Sequence, residues 1–137
     1  MEAGVISRSE RWTYVAFATL VGLYVLARIV LVPLVHDEAM PFFYFVETTD
    51  FLPFHAHNDA GNHVFTTFLG WCSWSLFGLH GWALRLPSLL AFAAFAWAAF
   101  RAGSYLHVRA LRWCLWSALL LCPLLVEMFG LFRGYAW

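Results

Sequence analysis

Residues 12–35 form an apolar run broken by a single charged side chain, Arg28. As a helix rising roughly 1.5 Å per residue, the run would extend about 36 Å, more than the roughly 30 Å of a bilayer's hydrocarbon core. It reads as a membrane span. Arg8 and Arg11 ahead of it resemble the basic start of a signal peptide, but the apolar part far exceeds the usual 7–15 or so residues, and no small-residue cleavage site follows. An uncleaved anchor is expected. Composition agrees: 63% of residues are hydrophobic and 12% charged, against roughly 45–50% and about 25% in soluble domains. The tryptophans, Trp12, Trp71, Trp74, Trp82, Trp97, Trp113, Trp116 and Trp137, lie mostly near the ends of apolar stretches, where amphipathic rings favour the headgroup region.

Net charge is zero and Lys is absent, so there is no basic run of the kind that neutralises phosphates in a nucleic-acid binder. Nucleic acid is not an expected partner; membrane lipids are. Cys72, Cys114 and Cys122 are odd in number, sit in apolar contexts and lack CxxC spacing, which fits neither a disulfide framework nor a zinc ribbon.

Beyond the first span, residues 36–62 turn acidic, with Asp37, Glu38, Glu47, Asp50 and Asp59, and no Arg occurs between Arg28 and Arg85. The aromatic stretch 39–46 predicts a short helix on the membrane surface with Pro41 in its first turn. In residues 59–73, Asp59, Asn62, His63, Thr66, Thr67, Gly70 and Ser73 recur at helical spacing. They form one narrow polar stripe on an otherwise apolar helix, which suits an interfacial position or a span packed against other helices. Residues 86–106 and 111–132 read as further spans, separated by a short stretch with His107, Arg109 and Arg112.

Arg-rich short loops stay cytoplasmic. Placing Arg8 and Arg11 on the same side as Arg101, Arg109 and Arg112 requires two crossings between the groups. The expected fold is therefore all-α and membrane-integral, with about three transmembrane helices and juxtamembrane helices in a first outer loop over 36–84. A fourth crossing arises only if 63–82 traverses the bilayer. The N-terminus is then cytoplasmic and the acidic loop extracytoplasmic, in a cell (inner) membrane. The sequence stops at Trp137 directly after an apolar segment, and residues 1–137 read as the N-terminal part of a longer transmembrane domain whose isolated piece would be inactive.

Three constellations could carry chemistry. At the exit of the first span, His36-Asp37-Glu38 sets two carboxylates side by side; such a pair can deprotonate an acceptor or hold a divalent cation through hard oxygen ligands, or form an ordinary acidic juxtamembrane loop. The run His55-Ala56-His57-Asn58-Asp59-Ala60-Gly61-Asn62-His63 is dense in groups that hydrogen-bond sugar hydroxyls or ligate zinc. Arg85, ahead of a helix that Pro87 can start, and Arg133, followed by Gly134 and Tyr135, can clamp a phosphate with a planar guanidinium or snorkel to headgroups. Arg28, inside the first span, faces other helices or reaches the outer interface.

As an ordered set, Asp37-Glu38, then Asn58-Asp59-Ala60-Gly61-Asn62-His63, Phe77-Gly78, Ala83-Leu84-Arg85-Leu86-Pro87-Ser88 and Arg133-Gly134-Tyr135, the chain resembles the N-terminal part of the GT-C membrane glycosyltransferases. The nearest branch in order and spacing is the bacterial one related to protein O-mannosyltransferases and lipid A aminoarabinose transferases. The resemblance implies transfer of a sugar from a polyprenyl-phosphate donor to a lipid, glycan or protein acceptor on the outer face. It implies Asp37 as the catalytic carboxylate with Glu38 as its acidic neighbour, which would also be the ligands of any divalent metal cofactor. His57, Asn58, Asp59, Asn62, His63, Arg85, Arg133 and Tyr135 would then bind substrate. The rival class is a noncatalytic helical membrane scaffold or transporter component, in which the acidic loop merely faces solvent.

Overall fold

The computed structural model describes residues 6–52, 54–56 and 62–133. All regular structure among these residues is helical: α1 (Arg8–Leu31), α2 (His36–Pro41), α3 (Val64–Phe77), α4 (Gly81–Ser104), α5 (Arg109–Leu120) and α6 (Pro123–Phe129), with a π-helical turn over Phe42–Val46 continuing α2. Helices α1 and α4 are long and apolar enough to cross a membrane, and α5 with α6 makes a third such element if the pair, bent by 52° at its break, is one span. The outward faces agree with membrane association: Leu20, Leu31, Leu76, Leu90, Trp97 and Leu124 are all exposed large apolar side chains, more than a water-facing monomer ordinarily presents.

Helix α1 starts where the Ser7 side chain accepts a hydrogen bond from the Glu10 N–H at 3.1 Å, an N-cap that satisfies one of the helix's free donors. It stops at Val32 and Pro33, the latter unable to donate to the helical ladder. Two contacts make α1 and α4 antiparallel. The Tyr14 hydroxyl near the start of α1 donates to the Ala96 carbonyl late in α4 at 2.5 Å. At the other end, Arg85 early in α4 donates to the Ile29 carbonyl at 3.2 Å. The α5–α6 pair returns alongside: Arg112 in α5 bonds Glu10, and Glu127 in α6 bonds Arg28. The core between these elements is Val21, Val25 and Ile29 against Phe92, Ala96, Trp116, Leu120 and Phe129.

The antiparallel path gives the bundle two chemically different ends. At one, Arg8, Arg11, Arg101, Arg109 and Arg112 collect around the start of α1, the end of α4 and the start of α5. Here Glu10, 2% exposed, receives both Nε and Nη2 of the buried Arg112 at 2.9 Å. At the other end lie the loop after α1, α2, α3 and the segment after α6.

Close approach of α4 to α5 depends on Gly103. A Cβ there would run into the Trp116 indole, which is fully buried and pinned by its N–H bond to the Ala99 carbonyl at 3.0 Å. The ring is also stacked on Phe100, so it has nowhere to move. Gly103→Ala is expected to destabilise the full-length gene product by about 1–3 kcal/mol, read as a lowered midpoint of thermal unfolding in detergent. An unchanged midpoint would mean that the helices separate freely here.

Helix α3 resolves the polar stripe. Thr66, Thr67, Gly70 and Ser73 are buried, whereas Phe65, Phe68, Leu76 and Phe77 are exposed. The polar side is turned inward, toward α4 and Phe132, and the apolar side outward. At 14 residues the helix is about 21 Å long, short of a bilayer core. Gly78, with φ of 77°, ends it in a left-handed conformation open to glycine.

Three boundaries differ from expectation, each at a proline. Helix α2 begins at His36 and ends at Pro41, so Pro41 does not open it; past this proline, which offers no N–H, the ladder widens and the Glu47 N–H donates to the Phe42 carbonyl at 2.9 Å. The aromatic stretch does not simply lie on a surface either, since Phe42, Phe45 and Val46 are buried. Pro87 likewise does not start its helix, which begins at Gly81. An interior proline leaves the carbonyl four residues back without a donor, and that carbonyl, Ala83, accepts the Ser73 hydroxyl of α3 at 2.5 Å. A polar residue of the stripe thus repairs the defect in α4, as Ser and Thr do for broken helices in membranes. Finally, the run 111–132 is two helices, because Pro123 opens α6 as its first residue.

Candidate functional site

The loop end is organised around a buried ion pair. Glu38 and Arg85 both have no exposed surface. The Arg85 Nε and Nη2 donate to Glu38 at 2.7 and 2.5 Å, the bidentate fork in which Arg–carboxylate pairs are strongest. Isolated charges in such a setting would be costly, so every remaining valence matters. The rest of the guanidinium donates to the carbonyls of Ile29, Val32 and Pro33, at 3.2, 2.6 and 2.9 Å, which are left free where α1 ends. The Glu38 carboxylate also accepts the Val35 N–H at 3.1 Å and the Phe132 N–H at 2.6 Å. One salt bridge therefore ties together the end of α1, the first turn of α2, the start of α4 and the chain after α6.

That arrangement sets its sequence neighbours. Asp37, next to Glu38 in the first turn of α2, points outward with its side chain 63% exposed. Arg133, next to Phe132, donates from Nη2 to the Asp37 carboxylate. Arg133 is partly buried, and its Nε has no partner among the described residues. A carboxylate and a guanidinium thus meet at the surface, Asp37 beside Glu38 of the buried pair and Arg133 beside Phe132, whose N–H donates to that same Glu38.

Asp37, Glu38, Arg85 and Arg133, taken from distant stretches, are brought together. For Glu38 and Arg85, however, the structure differs from the sequence reading. Both were expected to meet substrate or, for Arg85, a headgroup, yet both are enclosed and their polar atoms are engaged within the fold. Neither carboxylate oxygen of Glu38 is open to a metal or an acceptor in this arrangement. Asn62 is directed elsewhere, its amide donating to the Phe51 carbonyl at 3.1 Å and so closing the loop at the start of α3. His63 is half-buried at the N-cap of α3. His57, Asn58, Asp59 and Tyr135 lie outside the described residues. Among the described residues no three His, Cys, Asp or Glu side chains converge as metal ligands, and Cys72, Cys114 and Cys122 are free thiols.

Sequence reasoning missed two further ion pairs. Arg28 does face another helix, donating from both terminal nitrogens to Glu127 at 2.7 Å. Glu127, an ionisable residue within an apolar run, could have been singled out by the cost of leaving it unpaired. Glu10–Arg112 offered no comparable sign, because both residues lie at the ends of spans where charges are ordinary.

Compared with protein-family models, curated proteins and solved structures, the chain has no significant match.

Proposed function

We propose that the protein acts as a membrane glycosyltransferase of the GT-C kind, moving a sugar from a polyprenyl-phosphate donor to an acceptor at the outer face. The observation that carries this reading is the exposed Asp37–Arg133 pair braced by the enclosed Glu38–Arg85 bridge. A scaffold needs no outward carboxylate on so rigid a mount. In this reading Asp37 is the catalytic carboxylate: it takes the acceptor hydroxyl's proton as that oxygen bonds the anomeric carbon and the lipid phosphate departs with the electrons of the broken bond. Arg133, whose Nε is free of partners among the described residues, receives negative charge developing on the phosphate. Glu38 and Arg85 are positioning residues, not groups that touch substrate.

The assay is incorporation of labelled sugar from a polyprenyl-phosphate-linked donor into endogenous acceptors, using membranes from cells with and without the gene. Incorporation that disappears on deletion and returns with the full-length gene supports the reading; incorporation indifferent to the gene contradicts it.

The reading also has an orientation, with the Arg-rich end cytoplasmic, the Asp37 end outside and three crossings in all. In a full-length background lacking Cys72, Cys114 and Cys122, cysteine at Thr49 should react with an impermeant thiol reagent added outside, and cysteine at Val108 only after permeabilisation. Labelling of both from outside would require another crossing, with α3 as the candidate.

A further inference from the structure

At the Arg-rich end, α1 and α4 part to leave a groove of about 790 Å³ that opens on the outside of the bundle. Its length is apolar, with Gly22, Phe92 and Ala93 along it and the ring of Trp97, 64% exposed, at one side. A Cβ on Gly22 would come within 3.1 Å of the Phe92 ring, so the lack of a side chain there keeps the floor low. The charged groups lining the groove are Arg11 and Arg101, and the antiparallel helices bring both to the same end. Among the described residues neither has a carboxylate within 4.0 Å. The nearby Glu10 is turned inward to Arg112, and Arg101 instead lies 5.9 Å over Trp97.

We propose that this groove is a binding site for an anionic phospholipid, its phosphate held between Arg11 and Arg101 and an acyl chain lying along the floor toward Leu26. The charge pattern selects this occupant: two unmatched guanidiniums at one end and hydrocarbon along the rest match an amphiphile with an anionic head. An apolar helix or a second copy would fill the floor and leave both cations unpaired. The site lies away from Asp37, and it depends on membrane association but not on the transferase reading.

The test uses the full-length gene product in phosphatidylcholine bilayers in which a small fraction of lipid is replaced by dibrominated phosphatidylglycerol or dibrominated phosphatidylcholine. Quenching of Trp97 is taken as the difference between wild type and Trp97→Phe. The anionic probe should be preferred over the neutral one by roughly thirtyfold in apparent affinity, as two basic side chains near a headgroup confer at about 1 kcal/mol each. The double variant Arg11→Gln/Arg101→Gln should abolish the preference, and both positions are exposed, so folding is not at stake. Ala93→Phe, which fills the floor while keeping both cations, should also lower quenching by the anionic probe to the level of the neutral one. Equal quenching of the wild type by the two probes would overturn the proposal, leaving a groove wetted by bulk lipid. Absence of quenching by either would overturn it too, since a protein segment would then cover Trp97.

Discussion

Arg85→Met should be the most destabilising single substitution at the loop end, lowering the stability of the full-length protein by about 3–5 kcal/mol, as removal of one partner from a buried ion pair does. The reason lies in what Arg85 leaves behind. Glu38 would remain enclosed with its charge unmatched, and the carbonyls of Ile29, Val32 and Pro33 would lose their donors where α1 ends. Methionine fills much of the same volume, so the loss reflects polarity more than a cavity. Adding Glu38→Gln should recover part of the stability, since an amide buried without a partner costs less than a carboxylate. Thermal unfolding in detergent reads both variants. A wild-type midpoint for Arg85→Met would show that the bridge does not brace the site.

Asp37→Asn should do the opposite, leaving the unfolding midpoint nearly unchanged and abolishing transfer. Its side chain is 63% exposed in the ion pair with Arg133, and surface pairs contribute about 0–1 kcal/mol. Asparagine keeps the size and a hydrogen-bonding oxygen but cannot accept the acceptor's proton. Loss of a general base typically reduces turnover about 10²–10⁴-fold, and it should fall on kcat with donor binding retained. Glu47→Gln, in the same loop and exposed, is the control and should be mild. If Glu47→Gln lost turnover while Asp37→Asn kept it, the residue assignment would be wrong.

The sequence disclosed those parts of the fold that depend on local periodicity and length. The apolar run 12–35 is α1 shifted by a few residues, and the stripe through Thr66, Thr67, Gly70 and Ser73 is the inward face of α3. Proline positions were read less well. Pro41 and Pro87 read as helix starts, yet Pro41 ends a helix and Pro87 sits inside one, because a hydroxyl ten residues from the orphaned carbonyl makes up for the missing bond; Pro123, read as interior to one span, is the proline that opens a helix. No local pattern encodes that partnership.

The candidate site was legible as a set of residue types but not as a division of labour. Asp37 and Glu38 are adjacent and look equivalent in sequence; helix α2 turns one outward and the other into the fold. What separates them is Arg85, 47 positions away from Glu38, and a pairing over that distance leaves no trace in spacing. Arg133 joins Asp37 for the same reason, through the backbone of Phe132 held by Glu38.

The most direct measurement is release of polyprenyl phosphate from a polyprenyl-phosphate-linked sugar by the purified full-length gene product, in the presence of acceptor, compared with Asp37→Asn. The account predicts acceptor-dependent release by the wild type and at least about 10²-fold less by the variant, with the two unfolding at the same temperature. Equal release by both proteins, or no release by a folded wild type supplied with donor and acceptor, would contradict it.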